Sequence, residues 1–335
     1  MTDPLPDRFR AFVAERNGDT VGRGLRSLAI DDLPPGEVIV RVAWSDVNYK
    51  DGLATLAGGK VARISPLVPG IDLAGTVTAS DDPAIAIGSA VIAHGYEIGV
   101  SRHGGYAEFA RVPAGWVVPL PSGLTVREAA IVGTAGYTAA SSVAALEARG
   151  LAPGSGPVLV TGASGGVGGT AVRVLLARGH EVWAATGKPG AAERLLALGA
   201  AGVLDRAEVS AESSRPLEAE RWAGAIDCVG SATLPYILRT LREQGAVAAS
   251  GNTSGPGLVT TVFPFILRGV ALLGIDSAHD PIEKRRALWR RIAADLRPVG
   301  LGEDVTEVDL EGLEPALDAI LAGRAEGRWI VRVGG

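Results

Sequence analysis

The sequence predicts an α/β protein in two parts, a mostly antiparallel, partly open barrel and a doubly wound parallel sheet of six strands. Three observations carry that prediction. At 335 residues the chain is longer than a single hydrophobic core normally serves. From Arg10 to about Leu120 it reads as short β-rich runs broken by turn residues. From about Thr125 onward, apolar strands alternate with helical stretches.

The barrel strands are VIVRVAWS, AGTVTAS, SAVIAHG, YAEFARVP and WVVPLP, each closed by Gly, Pro or Ser. The sheet strands are VLVTG (158–162), EVWAAT (181–186), GVLD (202–205), AIDCVG (225–230), AVAASG (246–251) and ALLGID (271–276). Helical stretches such as AVRVLLARG and AAERLLALG separate them. A strand that reaches its neighbour through a helix pairs with it in parallel, so six such units build an open doubly wound sheet. A charged amphipathic stretch, IEKRRALWRRIAADL (282–296), follows, then a strand, a helix (LEPALDAILAG, 313–323) and the terminal strand RWIVRV. This tail is expected to rejoin the first part. The expected domains are therefore residues 1–124 with 280–335, and residues 125–279.

Composition narrows the function. Apolar residues make up 47% and charged residues 21%, ordinary for a globular protein, and the net charge of −5 argues against a nucleic-acid partner. Small molecules are the expected partners. The run MTDPLPDRFR lacks the apolar core of a signal peptide, and no run of about 18 apolar residues is evident, so a cytoplasmic protein is expected, away from membranes. The single cysteine, Cys228, excludes an internal disulfide and any multi-cysteine metal site. The four histidines, His94, His103, His180 and His279, have no metal-binding spacing and read as turn or helix-end residues.

The stretch VTGASGGVGGTAV (160–172) lies between a strand and a helix, the context a dinucleotide-binding turn requires. Its register places Ala163, Gly165 and Gly168 at the three glycine positions of the fingerprint. Gly165 allows close approach of a pyrophosphate, Gly168 allows helix and strand to pack, and the helix N-terminus, with Gly166 and Val167, offers unpaired N–H groups. Ser164 adds a hydroxyl. An NAD site normally has an acid about 20 residues further on, at the end of the next strand. Here that strand ends in Thr186, Gly187 and Lys188, a hydroxyl and an ammonium that suit a 2′-phosphate, so NADPH is expected.

With WSDVNYKD (44–51), PGIDLAGT (69–76), GGYAEFARV (104–112), GTAGYTA (133–139), WAGAIDCVG (222–230) and TVFPFILRGVALLGIDS (261–277), nearly the whole chain resembles the medium-chain dehydrogenase/reductase superfamily. The closer resemblance is to its quinone-oxidoreductase-like YhdH/YhfP group, which includes NADPH-dependent acrylyl-CoA reductase. This implies a GroES-like first domain and a Rossmann second domain. The zinc branch of the superfamily uses a cysteine and a Gly-His-Glu segment for its catalytic zinc. This chain has Asp46 and Asn48 near the first and Gly70-Ile71-Asp72 in place of the second, so no metal is expected.

The resemblance implies hydride transfer to the β-carbon of an α,β-unsaturated carbonyl, with donors for the developing enolate. Tyr49 is the candidate for cofactor contact and proton delivery, with Asn48 beside it in a polar cluster with Lys50 and Asp51. The same four residues also make a helix start, with Asn48 as cap, Tyr49 half-buried and Asp51 structural. By position, the resemblance adds Arg206, Asn252, Ile266, Ser277 and Arg328 around the cofactor. Bland alternatives stand beside two of them, Ile266 in the core or on a subunit surface and Arg328 paired with a local acid such as Glu326, while Asn252 departs from the family's more usual apolar residue, which leaves its contact to the backbone. Arg102 and His103 are placed near substrate, with surface-turn roles as the alternative. The function implied is NADPH-dependent reduction of a short enoyl thioester, acrylyl-CoA to propanoyl-CoA. Reduction of quinones, enones or enals, and non-catalytic NADPH binding, are the alternatives. A homodimer paired through the last strand of the sheet is expected.

Overall fold

The computed structural model describes residues 5–334. The chain divides into two compact units. One runs to Thr134 and takes up Ala278–Ala293 and the chain from Gly302, and the other holds Ala135–Ser277 and Ala294–Leu301.

The first unit opens with β1 (Phe9–Asn17) and β2 (Thr20–Leu28), then β3 (Val38–Asp46), α1 (Tyr49–Ala54), β4 (Asp72–Ser80), β5 (Ala90–His94), β6 (Phe109–Val112) and β7 (Val118–Pro119). Helix α2 (Val126–Ala148) carries the chain into the second unit. There follow β8 (Val158–Thr161), α3 (Gly166–Ala177), β9 (Val182–Thr186), α4 (Ala191–Leu198), β10 (Gly202–Asp205), β11 (Trp222–Asp227), α5 (Thr233–Thr240), β12 (Leu241–Ala249), α6 (Phe263–Arg268) and β13 (Ala271–Gly274). The returning chain adds α7 (Ile282–Ile292), β14 (Val305–Asp309), α8 (Leu313–Leu321) and β15 (Arg328–Arg332).

The second unit is a six-stranded sheet in the order β10-β9-β8-β11-β12-β13, parallel throughout. The order reverses beside β8, and such a switch point is where an open α/β sheet takes its ligand. Residues Val158–Thr161 are fully enclosed, as expected of a strand covered on both faces. In the first unit a seven-stranded sheet runs β14-β15-β3-β4-β5-β7 with β6 on β3, and only β14 and β15 pair in parallel. Its core joins Phe12 and Val13 to Val38, Val40 and Val42, closed by Leu313 and Leu317 of α8.

Three features differ from the sequence reading. The β1–β2 hairpin was not among the strands named, because β2 is exposed along much of its length and shows no apolar alternation. Strand β12 starts at Leu241, ahead of the apolar run AVAASG, since Arg242, Glu243 and Gln244 bulge out between its two pairing registers. Helix α2, at 23 residues and a mean hydropathy of 1.3, is long and apolar enough to cross a membrane; most of it is buried inside the protein, and a non-helical Gly133 breaks it.

Candidate functional site

In the second unit the glycine turn is built by close approach. At Gly168 an added Cβ would lie 2.3 Å from the carbonyl oxygen of Gly162, so only glycine lets the first turn of α3 settle on the end of β8. Gly165 caps α3 with extended backbone, which leaves the N–H groups of Gly166 to Gly168 at the open helix end. The hydroxyls of Ser164 and Thr186 stand 2.9 Å apart and tie this turn to the end of β9. The Lys188 N–H donates to the Thr186 hydroxyl at 3.2 Å. Arg206 lays its guanidinium against Gly187, where a Cβ would meet Nε at 2.7 Å. Two hydroxyls and the Arg206 guanidinium thus collect at the carboxyl end of β9, with Lys188 next along the chain. Asp205 follows nearby on β10, with its carboxylate accepting from the Ala207 N–H at 2.7 Å.

Asn252 and Ser277 follow β12 and β13 at the same edge of the sheet. Asn252 is exposed and its loop packs on Gly230, while the Ser277 hydroxyl accepts from Thr138 at 2.7 Å. Ile266 is not in the core; it is 67% exposed on α6 beside Val262 and Leu267. The sequence reading missed Asp227. Fully buried at the end of β11, it accepts from Thr161 at 2.5 Å, from the Gly230 N–H at 2.9 Å and from Thr233 at 2.9 Å. It therefore holds the residue that opens the glycine turn. An acid at the end of an apolar strand was the available signal.

In the first unit WSDVNYKD does not form one cluster. Tyr49, in the first turn of α1, is 48% exposed, whereas Asp51 turns inward and is fully buried. Its carboxylate accepts from the backbone N–H groups of Asn48 at 2.9 Å, Ile71 at 2.9 Å and Gly70 at 3.2 Å. Those bonds favour the charged form, yet burial pushes the carboxyl up to about 7. Asn48 begins α1, and its side-chain amide donates to Asp46 at 2.7 Å and to Asp72 at 2.7 Å. Asp72 also accepts from the Thr134 N–H at 2.8 Å and its hydroxyl at 2.7 Å. Burial, then the nearby Asp72, raises the Asp46 carboxyl well above the ordinary range, against the pull of Arg328.

Arg328 does not pair with Glu326. It forms a buried ion pair with Asp46, and its Nε donates to the Ile131 carbonyl at 2.7 Å. Arg102 donates to the Pro35 carbonyl and lies over Trp116, 5.5 Å from the ring centre. His103 accepts from the Val68 N–H at 3.2 Å. His94 is not a turn residue; it is fully buried, accepts from the Trp289 indole at 2.8 Å, and has its pKa driven down by burial and by Arg285.

A switch-point sheet bearing a glycine turn, in a chain that also carries this mostly antiparallel sheet, defines a dinucleotide-binding protein of the alcohol dehydrogenase type. Residues 34–122 match the model of the alcohol dehydrogenase GroES-like domain, and residues 166–294 match that of zinc-binding dehydrogenase. The chain belongs to the medium-chain dehydrogenase/reductase superfamily. Within it, the chain is 49% identical to YhfP of Bacillus subtilis, named as a quinone oxidoreductase, covering 97% of this chain and 99% of that one. The structure of YhfP with NAD bound superposes with a TM-score of 0.94. The acrylyl-CoA reductase AcuI of Ruegeria pomeroyi is 47% identical over 97% of this chain and 99% of its own length. YhdH of Escherichia coli K-12, solved with NADPH bound, is 44% identical with a TM-score of 0.93, covering 97% of this chain and all of that one. The zinc in the second family model's name finds no matching donors here. The only thiol, Cys228, is held protonated by burial, with a pKa of about 12, and among the described residues no group of three or more His, Cys, Asp or Glu is placed to hold a metal.

Proposed function

We propose that the protein is an NADPH-dependent, zinc-independent reductase of the C=C bond of short α,β-unsaturated acyl-CoA thioesters, converting acrylyl-CoA to propanoyl-CoA. The observation that carries the cofactor choice is the group Ser164, Thr186, Lys188 and Arg206 at the end of β9. Relatives have been solved with NADPH and with NAD, so the residues must decide, and two cations with two hydroxyls match a 2′-phosphate better than a ribose 2′-OH. Gly165 to Gly168 take the pyrophosphate on the open end of α3. Asn252 and Ser277 extend the same edge. Ile266 stands apart, and Arg328 acts through Asp46.

A nicotinamide held there would supply a hydride to the substrate β-carbon. The protein must then offset the charge gathering on the thioester oxygen and deliver a proton to the α-carbon. The exposed Tyr49 hydroxyl is the assigned donor, with Asn48 beside it. The substrate assignment draws on the likeness to AcuI, and the name of YhfP favours quinone or enone reduction as the second reading. NADPH oxidation followed with acrylyl-CoA, crotonyl-CoA and a simple quinone at equal concentrations separates them. A kcat/KM for acrylyl-CoA no better than for the quinone overturns the assignment; no turnover with any of the three leaves a non-catalytic NADPH-binding protein. The same reading places the protein in the cytoplasm as a homodimer, paired through β13 and the exposed apolar residues Val259, Val262, Ile266 and Leu267.

A further inference from the structure

The glycine turn follows the carboxyl end of β8. Beside the opposite, amino ends of β8, β11 and β12 lies a cavity of about 200 Å³, wholly within the second unit. Leu146 of α2 and Leu151, both buried, give it an apolar wall. Two arginines also line it, Arg149 just after α2 and Arg242 on the bulge of β12. Elsewhere in this unit arginines are matched by acids: Arg178 by Glu147 at 2.8 Å, Arg221 by Glu208 at 2.7 Å and Arg239 by Glu218 at 2.8 Å. Arg149 and Arg242 make no ion pair among the described residues. Arg242 is nevertheless fixed. Its Nη1 donates to the Ser155 carbonyl at 3.1 Å and lies against Gly156, where a Cβ would stand 2.0 Å away. Four of its five N–H bonds are left over. Gln244, also in the lining, holds φ 60°, a left-handed backbone that costs a non-glycine residue energy and that gathers at ligand clamps.

We propose that this cavity is a second ligand site, for a small organic phosphate, with Arg149 and Arg242 as its anion-binding residues. Two guanidiniums without acids call for a dianion, and their planar forks fit phosphate oxygens in pairs. A guanidinium already seated on Gly156 loses little freedom on binding. The wall of Leu146 and Leu151 weakens the local screening and gives the carbon body of an ester something to cover, which free phosphate would leave bare. Glu243, exposed on the same rim, opposes the anion, so the lining holds two positive charges against one negative. The site lies at the other end of the strands from the glycine turn, and its occupancy does not depend on the reductase reading.

The test is calorimetric titration of phenyl phosphate into the full-length protein saturated with NADPH, so that the end of β9 is already filled. A Kd of about 1 mM or tighter is expected, with inorganic phosphate at least about threefold weaker. Arg149→Gln and Arg242→Gln are each expected to raise the Kd about tenfold or more, the worth of a charge-assisted bond. Glu243→Gln is expected to lower it about two- to threefold, a gain that misfolding cannot imitate. Arg16→Gln makes the same charge change in the other unit and is expected to leave it within about twofold. The NADPH Kd of every variant should stay within about twofold of the wild type, since none of these residues touches the glycine turn. No saturable binding up to about 10 mM, or arginine variants that bind as tightly as the wild type, would overturn the site. Inorganic phosphate binding as tightly as the ester would overturn the choice of ligand. Should Arg242→Gln fail to fold, the exposed Arg149 and Glu243 still decide the matter. A wild type that binds no NADPH ends the cofactor reading, and the same titration without NADPH then tests the cavity through the same variants.

Discussion

At the scale of the residue, Asp51 sets a measurable pH dependence. Its carboxyl titrates at about 7 in the folded protein and near 4 when unfolded, so between those values the folded state holds a proton the unfolded state has lost. Stability then falls as pH rises from about 4 to about 7 and levels off above, a loss on the order of 4 kcal/mol if nothing compensates. Asp51→Asn cannot ionise but forfeits one backbone N–H acceptor. Its melting temperature is expected to lie below that of the wild type at pH 5, with the gap narrowing by pH 7.5; a gap that stays constant across that range would show that Asp51 does not titrate there. Asp46 contributes in the same direction, so some slope survives in the variant. Lys188 sets a different property. Reversing its charge with Lys188→Glu should cost one charge-assisted bond to the 2′-phosphate, lowering kcat/KM for NADPH about 10- to 100-fold while that for NADH changes less than threefold. An unchanged preference would show that the end of β9 does not read the phosphate.

At the scale of the element, α2 is held broken by the acids beneath it. Gly133 sits at φ 49° and ψ −162°, a region open essentially to glycine alone, and a Cβ there would lie 1.9 Å from the Asp46 carboxylate. The kink frees the Thr134 N–H, which Asp72 takes. Gly133→Ala must therefore straighten the backbone or displace the Asp46–Arg328 pair, and is expected to destabilise the protein by about 3–5 kcal/mol in chemical denaturation; a loss below about 1 kcal/mol would mean the pair has room to move. None of this was legible in the sequence. The turn from β8 into α3 was, because strand, glycines and helix are contiguous and each carries its own local pattern. So was the end of β9, where the missing acid could be seen at a known distance. The network of Asn48, Asp46, Asp72, Thr134 and Arg328 joins residues from β3, β4, α2 and β15, so no local spacing relates Asp46 to Arg328, and an acid beside a strand reads like any solvated one. The hairpin β1–β2 was lost for the opposite reason, too little apolar contrast along β2.

At the scale of the whole molecule, the unfinished surface lies at the end of the parallel sheet. Strand β13 is last in the order, and among the described residues no further strand lies beside its outer backbone groups. Leu272 on it is 36% exposed, and the preceding segment leaves Val259 at 87%, Val262 at 63%, Ile266 at 67% and Leu267 at 62%. A bare edge next to such a cluster is a template for uncontrolled pairing unless something covers it. A second copy would do so at no cost in new design. A two-fold axis through β13 would set the two edges antiparallel, satisfying their backbone groups and laying each apolar segment against the other. Stable pairs of this kind bury roughly 1,600 Å² or more, within reach of an edge strand plus one apolar segment from each subunit. The double substitution Val262→Asp and Ile266→Asp places two charges per subunit in that contact while leaving the glycine turn and the end of β9 untouched. Sedimentation at micromolar concentration is expected to give a dimer for the wild type and a monomer for the variant, with NADPH affinity changed less than threefold. A wild-type monomer, or a variant that remains dimeric, would remove β13 as the pairing edge.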